Sequence, residues 1–152
     1  MKLINNKGKV YVLLQFILFI VYIIPVNDFT IFCYPRLNQL YIITLSFGFI
    51  IVIGAIIQLR NQLTPFPEPN QKGKLIQNKF YKISRHPIYT GILLIIYSYA
   101  IYTCSLYKIL ISIALTILFY YKSIYEEKLL ANMYSEYSEY KKKVGRFFPK
   151  FF

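Results

Sequence analysis

The chain has 152 residues, a net charge of +12, and a composition that is 57% hydrophobic and 19% aromatic. A soluble domain of this length cannot bury so much apolar surface in one core, and the apolar residues instead gather into long runs that are typical of membrane spans. The basic residues flank those runs, which favours contact with membrane lipid and argues against binding to nucleic acid.

Four apolar runs predict four transmembrane helices, because each has about the 17–25 residues that a helix needs to cross the hydrocarbon core. They cover residues 10–26, 40–59, 88 to about 104, and 106–125. Backbone polar groups in lipid must be satisfied within the segment, so the predicted fold class is all-α. Gly48 and Gly54 should let a neighbouring helix approach the second run closely. A very short turn joins the last two runs, which should form an antiparallel helical hairpin.

The distribution of Lys and Arg predicts that both ends of the chain are cytoplasmic. Of the eighteen basic residues, all except Arg36 and Lys108 lie on one side of the predicted spans, and the positive-inside rule makes that side cytoplasmic. Lys2, Lys7 and Lys9 precede the first run, but no small-residue cleavage site follows it. We therefore expect the first run to remain as an anchor.

The two cysteines, Cys33 and Cys104, show no metal-ligand or redox spacing. Both fall in short segments that we place outside the cytoplasm, and we expect unpaired thiols there, with a disulfide as the alternative. We expect no metal or haem site, because the single histidine, His86, lies on the opposite side of the membrane.

Two cytoplasmic segments are too long to be simple connections. The loop at 60–87 begins with three prolines, Pro65, Pro67 and Pro69, which forbid helix there, and loops of such length are usually functional or disordered. Apolar residues at steps of three and four predict one amphipathic helix over 126–144. The predicted organisation is a single domain with two N-terminal spans (1–59), a cytoplasmic loop (60–87), a hairpin (88–125) and a C-terminal helix and tail (126–152).

Two polar groups at the membrane border are candidates for chemistry. The Arg-His-Pro segment at 85–87 opens the third run, where proline suits the first helical turn and Arg85 with the helix N-terminus could hold a carboxylate or phosphate. Glu126 and Glu127 leave the fourth run as adjacent carboxylates, which are costly near lipid unless they have partners. The structural alternatives are a hydrogen-bonded histidine and a weak ion pair between Glu126 and Lys122 on one helix face.

Four short motifs follow one another in the second half of the chain. They are Tyr81-x-x-x-Arg85-His86-Pro87-x-Tyr89-x-Gly91, Glu126-Glu127-x-x-Leu130, Tyr137-x-x-Tyr140 and Val144-x-Arg146-x-x-Pro149. This ordered set resembles the isoprenylcysteine carboxyl methyltransferase family and its bacterial relatives, which belong with the membrane phospholipid methyltransferases. The resemblance covers residue 65 to the end, and the first two runs match in topology alone.

The resemblance implies a multi-pass membrane enzyme, here of a bacterial inner membrane, that holds S-adenosylmethionine in a cytoplasm-facing pocket. The residues that we assign to the cofactor are Gly73, Lys74, Leu75, Ile76, Tyr81, His86, Pro87, Ile88, Tyr89, Glu126 and Glu127, and those that we assign to catalysis are Arg85, His86 and Glu126. Lys122 stands where the family has an arginine associated with the acceptor substrate. We expect a lipophilic small-molecule or lipidated acceptor that is methylated on a carboxylate, with a phospholipid or other lipid amine as the alternative.

The chemical groups of the cofactor suit these residues. Arg85 and the helix N-terminus could bind its carboxylate, Glu126 or Glu127 its ammonium, and Tyr81 or Tyr89 its adenine or sulfonium. The chain departs from the family pattern at Lys79, where many members have glycine, at a shortened run over 134–137, and at Lys122, which loses the bidentate geometry of arginine. Two other classes stay open, a steroid-reductase-type membrane reductase with a nicotinamide cofactor and a scaffold without activity.

Overall fold

The computed structural model describes residues 6–26, 38–66 and 73–150, and these residues form helices and loops without a β-strand. The helices are α1 (Asn6–Ile23), α2 (Asn38–Leu59), α3 (Phe80–Ile83), α4 (Pro87–Tyr102), α5 (Leu106–Met133) and α6 (Tyr137–Lys143), with a 3-10 turn at Arg60–Gln62 after α2. A single parallel bridge pairs Ser84 with Gly145. The all-α prediction is confirmed for the described part of the chain.

Three of the described helices, α1, α2 and α5, are long and apolar enough to cross a membrane. The chain is therefore an integral membrane protein. Helix α4 is also apolar but has 16 residues, and a rise of 1.5 Å per residue makes it about 24 Å long against a hydrocarbon core of about 30 Å. The fourth span, the cytoplasmic ends and the bacterial inner membrane stay predictions.

Helices α2 and α4 pack together through two glycines. A Cβ atom on Gly48 would lie 2.9 Å from the carbonyl oxygen of Gly91, and a Cβ on Gly91 would lie 2.7 Å from the carbonyl oxygen of Gly48. Either addition would push the two backbones apart, which is why small residues occur at such crossings. The predicted close approach at Gly48 is confirmed. The predicted close approach at Gly54 is confirmed too, because the ring of Phe80 in α3 occupies the space beside it.

Helices α4 and α5 form the predicted hairpin. The turn places Cys104 at φ 52°, and the side chain of Ser105 caps α5 by accepting a hydrogen bond from the backbone N–H of Lys108 at 3.1 Å. Across the hairpin, the hydroxyl oxygens of Tyr97 and Thr116 lie 3.0 Å apart. This packing fixes the position of α5, which carries the acidic pair and Lys122.

Cys104 is disulfide-bonded, so the expectation of an unpaired thiol is wrong for this residue. Its turn needs a left-handed backbone at a non-glycine residue, a conformation that tertiary contacts must hold. Cys33, the other cysteine of the sequence, lies outside the described residues, as do Pro67 and Pro69.

Helix α1 packs against α5 at two levels. The hydroxyl of Tyr107 in α5 donates to the carbonyl oxygen of Val21 at 2.6 Å, and near the other end the rings of Tyr11 and Tyr125 lie 6.0 Å apart. The hydroxyl of Tyr22 donates to the carbonyl oxygen of Ile96 in α4 at 2.6 Å. These contacts hold one face of α1 toward the hairpin.

The helix predicted over 126–144 is broken in the structure. Helix α5 runs on to Met133, Tyr134 leaves the helix with φ −122° and ψ 113°, and α6 begins at Tyr137. The break allows the hydroxyl of Tyr134 to donate to the carbonyl oxygen of Gly73 at 2.9 Å, which ties the cytoplasmic loop to α5. The apolar spacing continues across residues 134–136 in the sequence, so periodicity alone did not reveal the break.

Candidate functional site

A cavity of about 420 Å³ lies where the ends of α2, α4 and α5 meet the loop segment 73–81 and helix α6. That volume suits a small organic ligand, because such pockets measure about 300–1,000 Å³. Most of the predicted site residues line it, namely Lys74, Leu75, Ile76, Tyr81, Arg85, His86, Ile88, Tyr89, Lys122 and Glu126. Gly73, Pro87 and Glu127 are absent from its lining. The structure therefore brings ten of the thirteen predicted residues together around the cavity.

Glu126 presents a carboxylate at the cavity wall. Its Oε1 accepts a hydrogen bond from the hydroxyl of Tyr89, its Oε2 lies 3.3 Å from Nδ1 of His86, and its side chain is 16% exposed. The ring of Tyr89 stacks on His86 at 5.4 Å between centroids and on Phe119 at 4.6 Å. Because Tyr89 and His86 are themselves held by packing, the Glu126 carboxylate has a fixed position.

Glu127 has a different environment, although it is the adjacent residue. Its carboxylate is 2% exposed and lies 2.9 Å from Arg85 Nη2, 3.0 Å from Arg146 Nε, and 3.3 Å from both His86 Nε2 and Lys141 Nζ. A buried carboxylate is tolerated only when charges and hydrogen bonds compensate it. Glu127 therefore joins the start of α4 to the C-terminal segment.

Arg85 uses most of its hydrogen-bond donors to join the start of α4 to the C-terminal segment. It donates through Nε and Nη2 to Glu127 and through Nη1 to the carbonyl oxygens of Lys141 and Val144. Its backbone N–H donates to the carbonyl oxygen of Gly145 at 2.9 Å. Contacts within the described residues thus use four of its five side-chain N–H groups, which leaves at most one for the cofactor carboxylate that we predicted for it.

His86 lies between the two acids, with Nδ1 toward Glu126 and Nε2 toward Glu127. Burial lowers the pKa of His86, but hydrogen bonds and charge from Glu126 and Glu127 outweigh burial, so the pKa is raised above its ordinary value. A raised pKa keeps the imidazole protonated to higher pH, when both ring N–H groups can donate. His86 is better placed to fix the two carboxylates than to remove a proton from a substrate.

Lys122 is a buried ammonium on the cavity wall, and its side chain is 2% exposed. Its Nζ donates to Oε1 of Gln15 in α1 at 2.8 Å and to the carbonyl oxygen of Pro65 at 3.1 Å. The same nitrogen lies 5.3 Å from the centroid of the Tyr89 ring, within the range of a cation–π contact. The predicted substrate residue therefore lies in the same cavity as the predicted cofactor residues.

Sequence reasoning missed several lining residues. They are Gln15, Leu59, Gln62, Leu63, Thr64, Pro65, Phe66, Ile92, Leu130, Tyr134, Tyr137 and Tyr140. Gln15 did carry a signal, because a polar side chain inside an apolar span is a functional-site candidate by default. The tyrosines gave no such signal apart from their place in a motif, since aromatic residues are frequent throughout this chain.

The hydroxyl groups of the two tyrosines in α6 have different surroundings, so removing each one should affect the stability of the protein differently. The hydroxyl of Tyr140 donates to the carbonyl oxygen of Tyr81, whereas the buried hydroxyl of Tyr137 has no partner among the described residues. Tyr140→Phe should therefore cost about 1 kcal/mol of unfolding free energy, and Tyr137→Phe should cost nothing or stabilise slightly. Thermal unfolding of both variants in detergent tests this, and equal losses would show that the Tyr137 hydroxyl does have a partner.

A family model for phospholipid methyltransferases matches residues 39–137, which is 99 of the 152 residues. The chain belongs to the phospholipid methyltransferase family. Isoprenylcysteine carboxyl methyltransferases share this family, so the resemblance found in the sequence is confirmed at that level. No protein of curated function and no solved structure gives a significant match.

Membership of the phospholipid methyltransferase family indicates a methyltransferase, and it implies S-adenosylmethionine-dependent methyl transfer to a lipid-related substrate. The matched range holds α2, α4, α5 and most of the cavity wall. Gln15, Tyr140 and Arg146 lie outside the matched range.

Proposed function

We propose that the chain transfers a methyl group from S-adenosylmethionine to a carboxylate oxygen of a lipophilic acceptor at the cytoplasmic membrane face. The observation that carries this proposal is a pair of opposite charges on one cavity wall. Glu126 and Lys122 both line the cavity, and their spacing of four residues on α5 places them on one helix face. The acid suits a cationic cofactor, and the ammonium suits an anionic acceptor.

The residues present fit the cofactor. Glu126 offers a carboxylate for its ammonium or sulfonium, the rings of Tyr81 and Tyr134 offer faces for its adenine, and Leu75 and Ile76 provide apolar wall. When bound, S-adenosylmethionine supplies an electrophilic methyl group on a sulfonium. We assign Glu126 and Tyr89 to binding, and Arg85, His86 and Glu127 to positioning.

A carboxylate acceptor is already a nucleophile, so the protein needs only to align it and to exclude water. Lys122 would orient the acceptor carboxylate through its ammonium. Ile88 and Ile92 also line the cavity and would keep water from the reacting groups. No general base is required, which agrees with the use of His86 as a donor to two acids.

N-methylation of a phospholipid or other lipid amine is the second candidate, because the matching family model is described by phospholipid substrates. An amine must lose a proton before or during transfer. Glu126 is the single acid among the described lining residues, and binding the cationic cofactor already engages it. Lys122 would also repel an ammonium acceptor, so we place the amine second and a nicotinamide-dependent reductase third. We also propose that the chain forms one domain with the four parts given above, and that both of its ends are cytoplasmic.

Calorimetric titration and methyl transfer together test the proposal. We would titrate S-adenosylmethionine, S-adenosylhomocysteine and NADPH into the detergent-purified chain, and then offer labelled S-adenosylmethionine with an S-prenylated cysteine, a long-chain fatty acid or phosphatidylethanolamine. We expect both sulfur compounds to bind and label to enter a base-labile methyl ester. Base-stable label in the lipid amine would overturn the carboxylate choice, and binding of NADPH alone would overturn methyl transfer.

A further inference from the structure

Helix α1 contributes one amide side chain, Gln15, to the cavity. An amide inside an apolar span is costly unless it is used, so its presence calls for a function or a structural partner. Gln15 lies outside the region that matches the phospholipid methyltransferase family.

The contact with Lys122 fixes how the Gln15 amide is oriented. An ammonium has donors and no acceptor, so the amide oxygen must face Lys122, and Oε1 is indeed 2.8 Å from Nζ. The amide nitrogen then remains as a donor for another group. No oxygen of the described residues accepts a hydrogen bond from it, although Gln15 lines the cavity.

We infer that Gln15 and Lys122 together bind the acceptor carboxylate, with the amide N–H and the ammonium N–H as two adjacent donors. This inference rests on the proposed function. Lysine is a single point charge and does not bind both oxygens of a carboxylate in the bidentate way of a guanidinium. The Gln15 amide supplies a second donor from another helix. Helix α1 thereby selects the class of acceptor.

Two substitutions of Gln15 test this assignment in the full chain. Gln15→Leu keeps the size of the side chain but removes the N–H donor together with the Oε1 acceptor of Lys122, and we expect KM for an S-prenylated cysteine carboxylate to rise about 10- to 100-fold, the effect of losing a hydrogen bond to a charged group. Gln15→Glu places a second carboxylate beside Lys122 and should raise KM further by repulsion. Calorimetry should give the same affinity for S-adenosylmethionine in both variants as in the wild type.

Thr44→Val is the matched control for lost helix packing. The hydroxyls of Thr44 and Ser98 lie 2.7 Å apart between α2 and α4, and Thr44 is not part of the cavity lining. The control should leave KM unchanged, and thermal unfolding of all three variants checks that they fold. An unchanged KM in both Gln15 variants would overturn the inference, as would equal losses of acceptor and cofactor affinity. A wild-type protein that binds S-adenosylmethionine but methylates no carboxylic acid would overturn both the inference and the proposed acceptor.

Discussion

Glu127→Ala should lower the free energy of unfolding by about 3–5 kcal/mol, the usual cost of removing one partner from a buried charge cluster. Arg85, Arg146, His86 and Lys141 all direct donors at the Glu127 carboxylate. Without that carboxylate, cations converge on a site that water reaches poorly. We expect the segment after α6 to detach first, which thermal unfolding and limited trypsin cleavage after Lys143 would detect.

Glu139→Ala is the control for the loss of a carboxylate as such. Glu139 pairs with Lys142 at 2.7 Å, but both side chains are more than half exposed, and exposed pairs contribute little. The variant should unfold close to the wild type. If Glu127→Ala were as stable as this control, the C-terminal segment would be held mainly by backbone bonds, such as that from His86 N–H to the Arg146 carbonyl oxygen at 3.1 Å.

The helices of this chain could be predicted because long apolar runs leave few alternatives in lipid. The end of a helix could be predicted where a proline follows, and α1 ends at Ile23, two residues before Pro25. The break at Tyr134 could not be predicted, because the hydrogen bond that accompanies it joins Tyr134 to Gly73, 61 residues away. Periodicity reports which face of a helix is apolar, and that face is the same on both sides of the break.

The motifs predicted many of the residues around the cavity but not the different contacts that each of them makes. Glu126 and Glu127 are equivalent in a sequence, yet adjacent helical residues point about 100° apart. One faces the cavity and the other faces Arg85 and Arg146, a difference that only the packed structure reveals. Gln15 is more distant still, 107 residues from Lys122. A pattern search that begins at the motifs cannot reach a partner on a helix without motifs.

Glu126→Gln should weaken the binding of S-adenosylmethionine by at least about 30-fold, because losing one member of a buried charge pair costs about 2–5 kcal/mol. The substitution keeps the shape of the side chain and can still accept from Tyr89, so the fold should survive. Glu127 keeps Arg85, Arg146 and Lys141, and His86 is the contact that it shares with Glu126. Calorimetric titration of the variant measures the affinity, and thermal unfolding confirms that it folds.

Glu136→Gln provides the matched control, since Glu136 is an exposed acid outside the cavity lining. It should bind S-adenosylmethionine like the wild type. Equal affinity in the two variants would remove Glu126 from the cofactor site, and the acid that holds the cationic groups of the cofactor would then have to be found elsewhere. A loss confined to Glu126→Gln would assign cofactor binding to the acid facing the cavity, one helical turn from the ammonium that we assign to the acceptor.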